Sequence, residues 1–264
     1  MWSNKLKQKM AAGEVAYGPF VRMPGPVSVE LAASAGFDFV IICQEHSALD
    51  METTEAMILG ALACGITPVV RVPEANGANI HRVLDIGAHA VMVPMCNTAA
   101  DAKVVGDNAK FGSFGRRGVA GFSRGDSWGA LPVDQAIVNM HEEVLTVVQI
   151  ETVEALSNVD AIAATPGVDI VFIGPLDLST ALGVPGQVGH PKVIEAANRV
   201  VAAAEKHGKQ VGIYCGTAED SLFWAERGIK MISSGLDTIL LQRAYADLRK
   251  VLPNGLGKQP NASY

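Results

Sequence analysis

Aromatic residues make up only 6% of the 264 positions, and the four cysteines, Cys43, Cys64, Cys96 and Cys215, form no CxxC pair and no Cys/His spacing suited to zinc. These gaps exclude a disulfide framework and a structural zinc module, so the thiols read as reduced and mostly buried, in a cytoplasmic protein. No segment approaches the ~18 consecutive apolar residues of a membrane span. The opening MWSNKLKQKM is basic but has no apolar stretch behind it, so it does not read as a secretion signal. Positive charge is short as well: a net charge of −6 and a pI near 5.5 leave no electrostatic reason to expect a nucleic-acid partner. Neither GxGxxG nor a P-loop pattern occurs, so there is no nucleotide fingerprint. Lysine is missing from the end of every apolar run, with Lys230 standing at the beginning of one, which argues against Schiff-base chemistry.

What the chain does have is Ala, Val, Ile and Gly in quantity, the composition of parallel strands buried on both faces. Eight short apolar runs recur: VAYGPF, DFVIIC, TPVVRV, AVMVPM, LTVVQI, DIVFIG, QVGIYC and IKMISS. Helical patterns lie between them. PVSVELAASAG stops at Gly36, TTEAMILGALACG stops at Gly65, and HPKVIEAANRVVAAAEKHG has Pro191 in its first turn and Gly208 just past its end. An unbroken β/α alternation of this length favours a closed (β/α)8 TIM barrel over an open doubly wound sheet. The reading is one barrel domain over residues 1–252, with a flexible Pro/Gly/Asn-rich tail over 253–264. Residues 107–132 are too Gly-rich and polar for an ordinary helix, and structureless loops of that length in compact domains are usually functional.

A barrel of this kind places its chemistry at the C-terminal rim of the strands. The second run leads into Glu45 and His46, the third carries Arg71, the fifth leads through Gln149 to Glu151, and the sixth through Gly174, Pro175 and Leu176 to Asp177. Two carboxylates converging from neighbouring strand ends, Glu151 and Asp177, would repel unless a divalent cation lay between them. Hard oxygen donors suit Mg2+ or Mn2+, and Co2+ could occupy the same site. GPLDLS opens a helix whose free amides at Leu176 and Asp177 could receive a substrate carboxylate. Arg71 is a fixed cation able to stabilise an enolate oxygen, and His46 is the candidate acid/base. Each of these residues taken alone has an ordinary reading: a helix cap, a salt bridge or a structural histidine. Arg116 and Arg117 read as loop architecture rather than an anion clamp, and Met92 and Met95 as packing residues.

Together the pieces resemble the HpcH/HpaI family of metal-dependent aldolases, within the phosphoenolpyruvate/pyruvate barrel superfamily. Glu45-His46, VVRVP around Arg71, LDIGAHAVMVPM from Leu84, GRRGV from Gly115, VQIET around Glu151 and FIGPLDLS around Asp177 occur in family order. The resemblance implies a class II aldolase that cleaves a 4-hydroxy-2-oxo acid, of the 4-hydroxy-2-oxoheptanedioate or 2-dehydro-3-deoxy-glucarate type, to pyruvate and an aldehyde. It implies that Glu151 and Asp177 bind the divalent ion chelating pyruvate as its enolate. Arg71 would steady the enolate, Gln149 would hold a water, and His46 would move the proton. It further implies a homo-hexamer, a trimer of dimers with an exchanged helix, in which Asp85 approaches a neighbour's active site. Two departures stand out: Cys43 occupies the place of an Asp three residues before the His, and Leu176 is bulkier than the small residue of the family pattern. The alternatives are a malyl- or citramalyl-CoA-type lyase and a catalytically weakened carboxylate-binding protein.

Overall fold

The computed structural model describes residues 2–252; the tail over 253–264 lies outside them. Helix α1 (Lys5–Ala11) precedes the first strand, and then β and α alternate: β1 (Ala16–Val21), α2 (Val27–Ser34), β2 (Phe39–Cys43), α3 (Met51–Cys64), β3 (Thr67–Arg71), α4 (Gly77–Asp85), β4 (Ala90–Val93) and α5 (Ala99–Ala109). A 3-10 turn at Gly112–Phe114 and an irregular stretch lead to α6 (Val133–Glu143), followed by β5 (Leu145–Ile150), α7 (Val153–Ser157), α8 (Val159–Ala163), β6 (Ile170–Ile173) and α9 (Pro175–Ala181). The chain then runs through α10 (Pro191–Lys206), β7 (Gln210–Cys215), α11 (Ala218–Ala225), β8 (Met231–Leu236) and α12 (Asp237–Lys250). The strands pair in parallel, in sequence order, and β8 closes on β1.

The eight apolar runs thus coincide with the eight strands, within one or two residues at each end. Helix stops fall where the glycines predicted them: Gly65 adopts the left-handed conformation at φ 75° and caps α3, and Pro191 opens α10. Thr98 closes a full capping box with Asp101 at the start of α5.

Alternation along the strands divides the core in two. Phe39, Ile41 and Cys43 of β2, Val69 of β3, Ala90 and Met92 of β4, Leu145 and Val147 of β5, and Ile170 and Phe172 of β6 belong to the inner cluster that fills the barrel. Residues of opposite parity, such as Val40, Val70, Val91, Val148 and Val171, pack outward against the helices. Leu6 and Met10 of α1 join the inner cluster, and the Leu6 amide donates to Thr67 Oγ1 at 3.2 Å. The basic amino-terminal segment is therefore a plug for the N-terminal mouth, which leaves the opposite mouth as the open one. Trp2 stacks on His89 with ring centroids 3.9 Å apart, and burial pushes that imidazole down to about 4. Among the described residues no helix is long and apolar enough to cross a membrane.

Candidate active site

Polar side chains replace apolar ones where the inner layers end. Two residues beyond Val69 the same parity brings Arg71 inward, and two and four beyond Val147 it brings Gln149 and Glu151. All three are buried, at 6%, 2% and 4% exposure. With Asp177, Gly174, Pro175 and Leu176 after β6, and His46 after β2, they line one cavity of about 620 Å³ at the C-terminal mouth.

Arg71 is the hub of this site. Nη1 lies 3.0 Å from Glu45 Oε2 and donates to Gln149 Oε1 at 3.3 Å. Nη2 contacts Cys43 Sγ at 3.0 Å and His46 Nδ1 at 3.0 Å, and the guanidinium stands 4.7 Å from the centroid of the Phe20 ring. A guanidinium only donates hydrogen bonds, so the bond to His46 requires Nδ1 to accept and assigns the imidazole proton to Nε2. His46 Nε2 lies 3.6 Å from Glu45 Oε1. The carboxylate nearest the imidazole thus comes from Glu45, while the Cys43 thiol receives the backbone N–H of His46 at 3.4 Å and shares the guanidinium.

Glu151 is held from two sides. The backbone N–H of Met95 donates to Oε1 at 2.7 Å, and Gln149 Nε2 donates to Oε2 at 3.3 Å. Desolvation raises its carboxyl to about 7, with Asp177 and Glu45 adding repulsion that the Met95 hydrogen bond and Arg71 only partly offset. Gly174 is required beside it, since a Cβ there would fall 2.6 Å from Glu151 Oε2. Asp177 stands exposed in the first turn of α9. A buried carboxylate whose charge is opposed by burial and by a second carboxylate is a donor set that a divalent cation would relieve, so the residues present fit the ion expected from the sequence. Among the described residues no group of three or more His, Cys, Asp or Glu side chains is arranged to hold a metal. An ion here would therefore rest on Glu151 and Asp177, with room left for substrate and water.

The remaining expectations divide. Asp85, at the end of α4, does not line this cavity within one chain; its carboxylate pairs with Arg117 Nη2 at 2.5 Å. Arg117 is buried, lies 4.4 Å from the Phe111 ring centroid and ties the 107–132 segment down, which agrees with loop architecture for FGRRGV. Met92 is buried as a packing residue, but Met95 is not one: the residue is 52% exposed, its φ is +53°, and its backbone serves Glu151. That strained backbone role leaves no mark in residue type.

A family model described as HpcH/HpaI aldolase/citrate lyase matches residues 16–244. The chain belongs to this family. Among its relatives, a hydroxypyruvate/pyruvate aldolase of Pseudomonas aeruginosa is 34% identical over 261 residues, covering 98% of this chain and 96% of that protein. A 5-keto-4-deoxy-D-glucarate aldolase of Klebsiella pneumoniae subsp. pneumoniae is 36% identical, with 90% and 92% covered. The crystal structure of an HpcH/HpaI aldolase from Desulfitobacterium hafniense DCB-2 superposes with a TM-score of 0.91 at 32% identity, covering 98% of this chain and 100% of that one. This HpcH/HpaI protein is an aldolase. The side chains at the cavity to which the sequence pattern gave no role include Phe20, Arg22 and Tyr214, which follow or belong to strands at the far side of the mouth.

Proposed function

We propose that this aldolase cleaves a 4-hydroxy-2-oxo acid to pyruvate and an aldehyde, and joins them in reverse, in the cytoplasm. The observation that carries this reading is one cavity lined by the buried Arg71, by the carboxylates of Glu151 and Asp177, and by the His46 imidazole that contacts Arg71. Glu151 and Asp177 would hold the divalent ion, Mg2+, Mn2+ or Co2+. When bound, that ion supplies Lewis acidity toward a 2-oxo acid.

Arg71 donates to the oxygen on which negative charge develops as the carbon–carbon bond breaks. Gln149, fixed between Arg71 and Glu151, positions a water or a substrate oxygen. Backbone amides at Leu176 and Asp177 receive the substrate carboxylate, and Gly174 and Pro175 keep the approach open beside Glu151. His46 takes the proton of the C4 hydroxyl, directly or through a water, and Glu45 is the carboxylate beside it. His46 Nδ1 accepts from Arg71, so the guanidinium that would meet the substrate oxygen also orients the imidazole.

The assembly proposed is a homo-hexamer built as a trimer of dimers. Support comes from α12, whose only buried residue is Asp237 while Leu240, Leu241, Tyr245 and Leu248 stay exposed. Such an apolar face on a helix of its length suits exchange with a neighbour, and only in that assembly would Asp85 reach a second active site. A monomer by light scattering would remove both points.

The reading is tested by incubating pyruvate with the protein in deuterated water and following the methyl signal by NMR. Exchange with added Mg2+, Mn2+ or Co2+ that chelator abolishes is expected. Absence of exchange with all three would leave only a carboxylate-binding site.

A further inference from the structure

The cavity contains a cation that neither the metal site nor the pyruvate site uses. Arg22 follows β1 directly, and parity places it inward, two residues beyond the inner-cluster residue Phe20. It lines the same cavity as Glu151 and Asp177. In a closed barrel with strands in sequence order, β1 is four strands from β5 in either direction, so Arg22 stands across the mouth from Glu151. The two arginines of the cavity differ in their partners. Arg71 is matched by Glu45 at 3.0 Å, whereas the Arg22 side chain makes no ion pair or hydrogen bond with any described residue; the buried Nε is without a partner in both. Its backbone is fixed nonetheless: the amides of Arg22 and Met23 both donate to the Asp237 carboxylate, at 3.0 Å to Oδ2.

Tyr214, on the inner face of β7, lines the same cavity and stacks edge-on with Phe20 at 5.9 Å. Burial raises its phenol, while Arg243 and Arg22 pull it back, as expected of a hydroxyl with guanidinium groups nearby. The acid on this side of the cavity, Asp220, is engaged by the Thr217 hydroxyl at 2.8 Å. Leaving a guanidinium half-buried and unmatched is costly unless a ligand completes it.

We infer that Arg22, assisted by the Tyr214 hydroxyl, binds an anionic group at the distal end of the substrate, carried by the aldehyde half, and so selects aldehydes that bear a carboxylate. The inference rests on the aldolase reading above, since the proximal carboxylate and the keto oxygen must already be held at the other side. Arg22 is a specificity-determining residue, not a participant in bond cleavage. A phosphate would satisfy the same guanidinium; the carboxylate is preferred because one guanidinium and one phenol match a single negative charge.

The experiment compares aldol addition of pyruvate to succinic semialdehyde, to a phosphorylated aldehyde and to neutral butanal, by metal-loaded wild-type protein and by the variants Arg22→Met and Arg22→Lys. In the wild type kcat/KM is expected to favour succinic semialdehyde over butanal. In Arg22→Met that ratio should fall by about 10- to 100-fold, the loss of one charge-assisted pair. Arg22→Lys should recover part of it. The ratio within one sample does not depend on the fraction folded. If the anionic preference is absent from the wild type, or survives unchanged in Arg22→Met, the inference is overturned. A preference for the phosphorylated aldehyde that Arg22→Met abolishes keeps the site and overturns the carboxylate assignment. Wild-type protein that fails to exchange pyruvate methyl protons marks failure of the aldolase reading instead.

Discussion

Glu151→Gln is expected to lower metal-dependent exchange of pyruvate methyl protons by about 1,000-fold, equivalent to about 4 kcal/mol of transition-state stabilisation. The same substitution should stabilise the metal-free protein above neutral pH. Burial and the neighbouring Asp177 and Glu45 raise the Glu151 carboxyl to about 7 from 4.5. The folded state therefore binds more protons than the unfolded state between those values, and stability falls as pH rises through that window. A shift of that size corresponds to about 3 kcal/mol at its upper end. A neutral Gln keeps an oxygen for the Met95 amide and does not carry that cost. Thermal melts in chelator should show the variant gaining more over wild type at pH 8 than at pH 5, while added Mn2+ should raise the melting temperature of the wild type only. Equal metal stabilisation of both proteins would remove Glu151 from the metal site.

Arg71→Met is expected to cost about 100- to 1,000-fold in kcat/KM, the range for removing a donor aimed at developing negative charge. Stability should fall too, by about 2–4 kcal/mol, because Glu45 would be left without its counter-ion at 17% side-chain exposure and Gln149 without one donor. Arg71→Lys separates the two effects. A lysine restores the charge beside Glu45 but cannot reach Gln149, Cys43 and His46 at once with a planar fork. Melting temperature should therefore recover substantially while kcat/KM stays low. Recovery of both would show that only the charge matters, and that the hydrogen bond to His46 Nδ1 has no part in the reaction.

That bond also bears on Cys43. A thiol cannot supply the negative charge of the Asp that the family pattern carries there, yet the structure brings a carboxylate to His46 from Glu45, at 3.6 Å from Nε2. The positive partner on the other ring nitrogen is Arg71. The imidazole is therefore oriented through a guanidinium, with the thiol accepting its backbone amide. The family resemblance marked Cys43 as a departure and left three compensating groups open, Glu45, a neighbour's Asp85 or a metal-bound hydroxide, among which sequence alone does not choose.

The sequence by itself determined the eight strands, the stops at Gly65 and Gly208, the barrel, and the rim to which Arg71, Gln149, Glu151 and Asp177 are delivered. All of these follow from local periodicity and from residues whose backbone preferences act within a few positions. Tertiary structure decided everything that depends on distance between strand ends. It paired Arg71 with Glu45, assigned the His46 tautomer, turned Met95 into a backbone donor at φ +53°, and paired Asp85 with Arg117 instead of lining the chain's own cavity with it. It also set Arg22 across the mouth from Glu151, because barrel closure, and not sequence proximity, makes β1 and β5 face each other. Closure juxtaposes side chains more than a hundred residues apart, and no local pattern encodes which of them will meet.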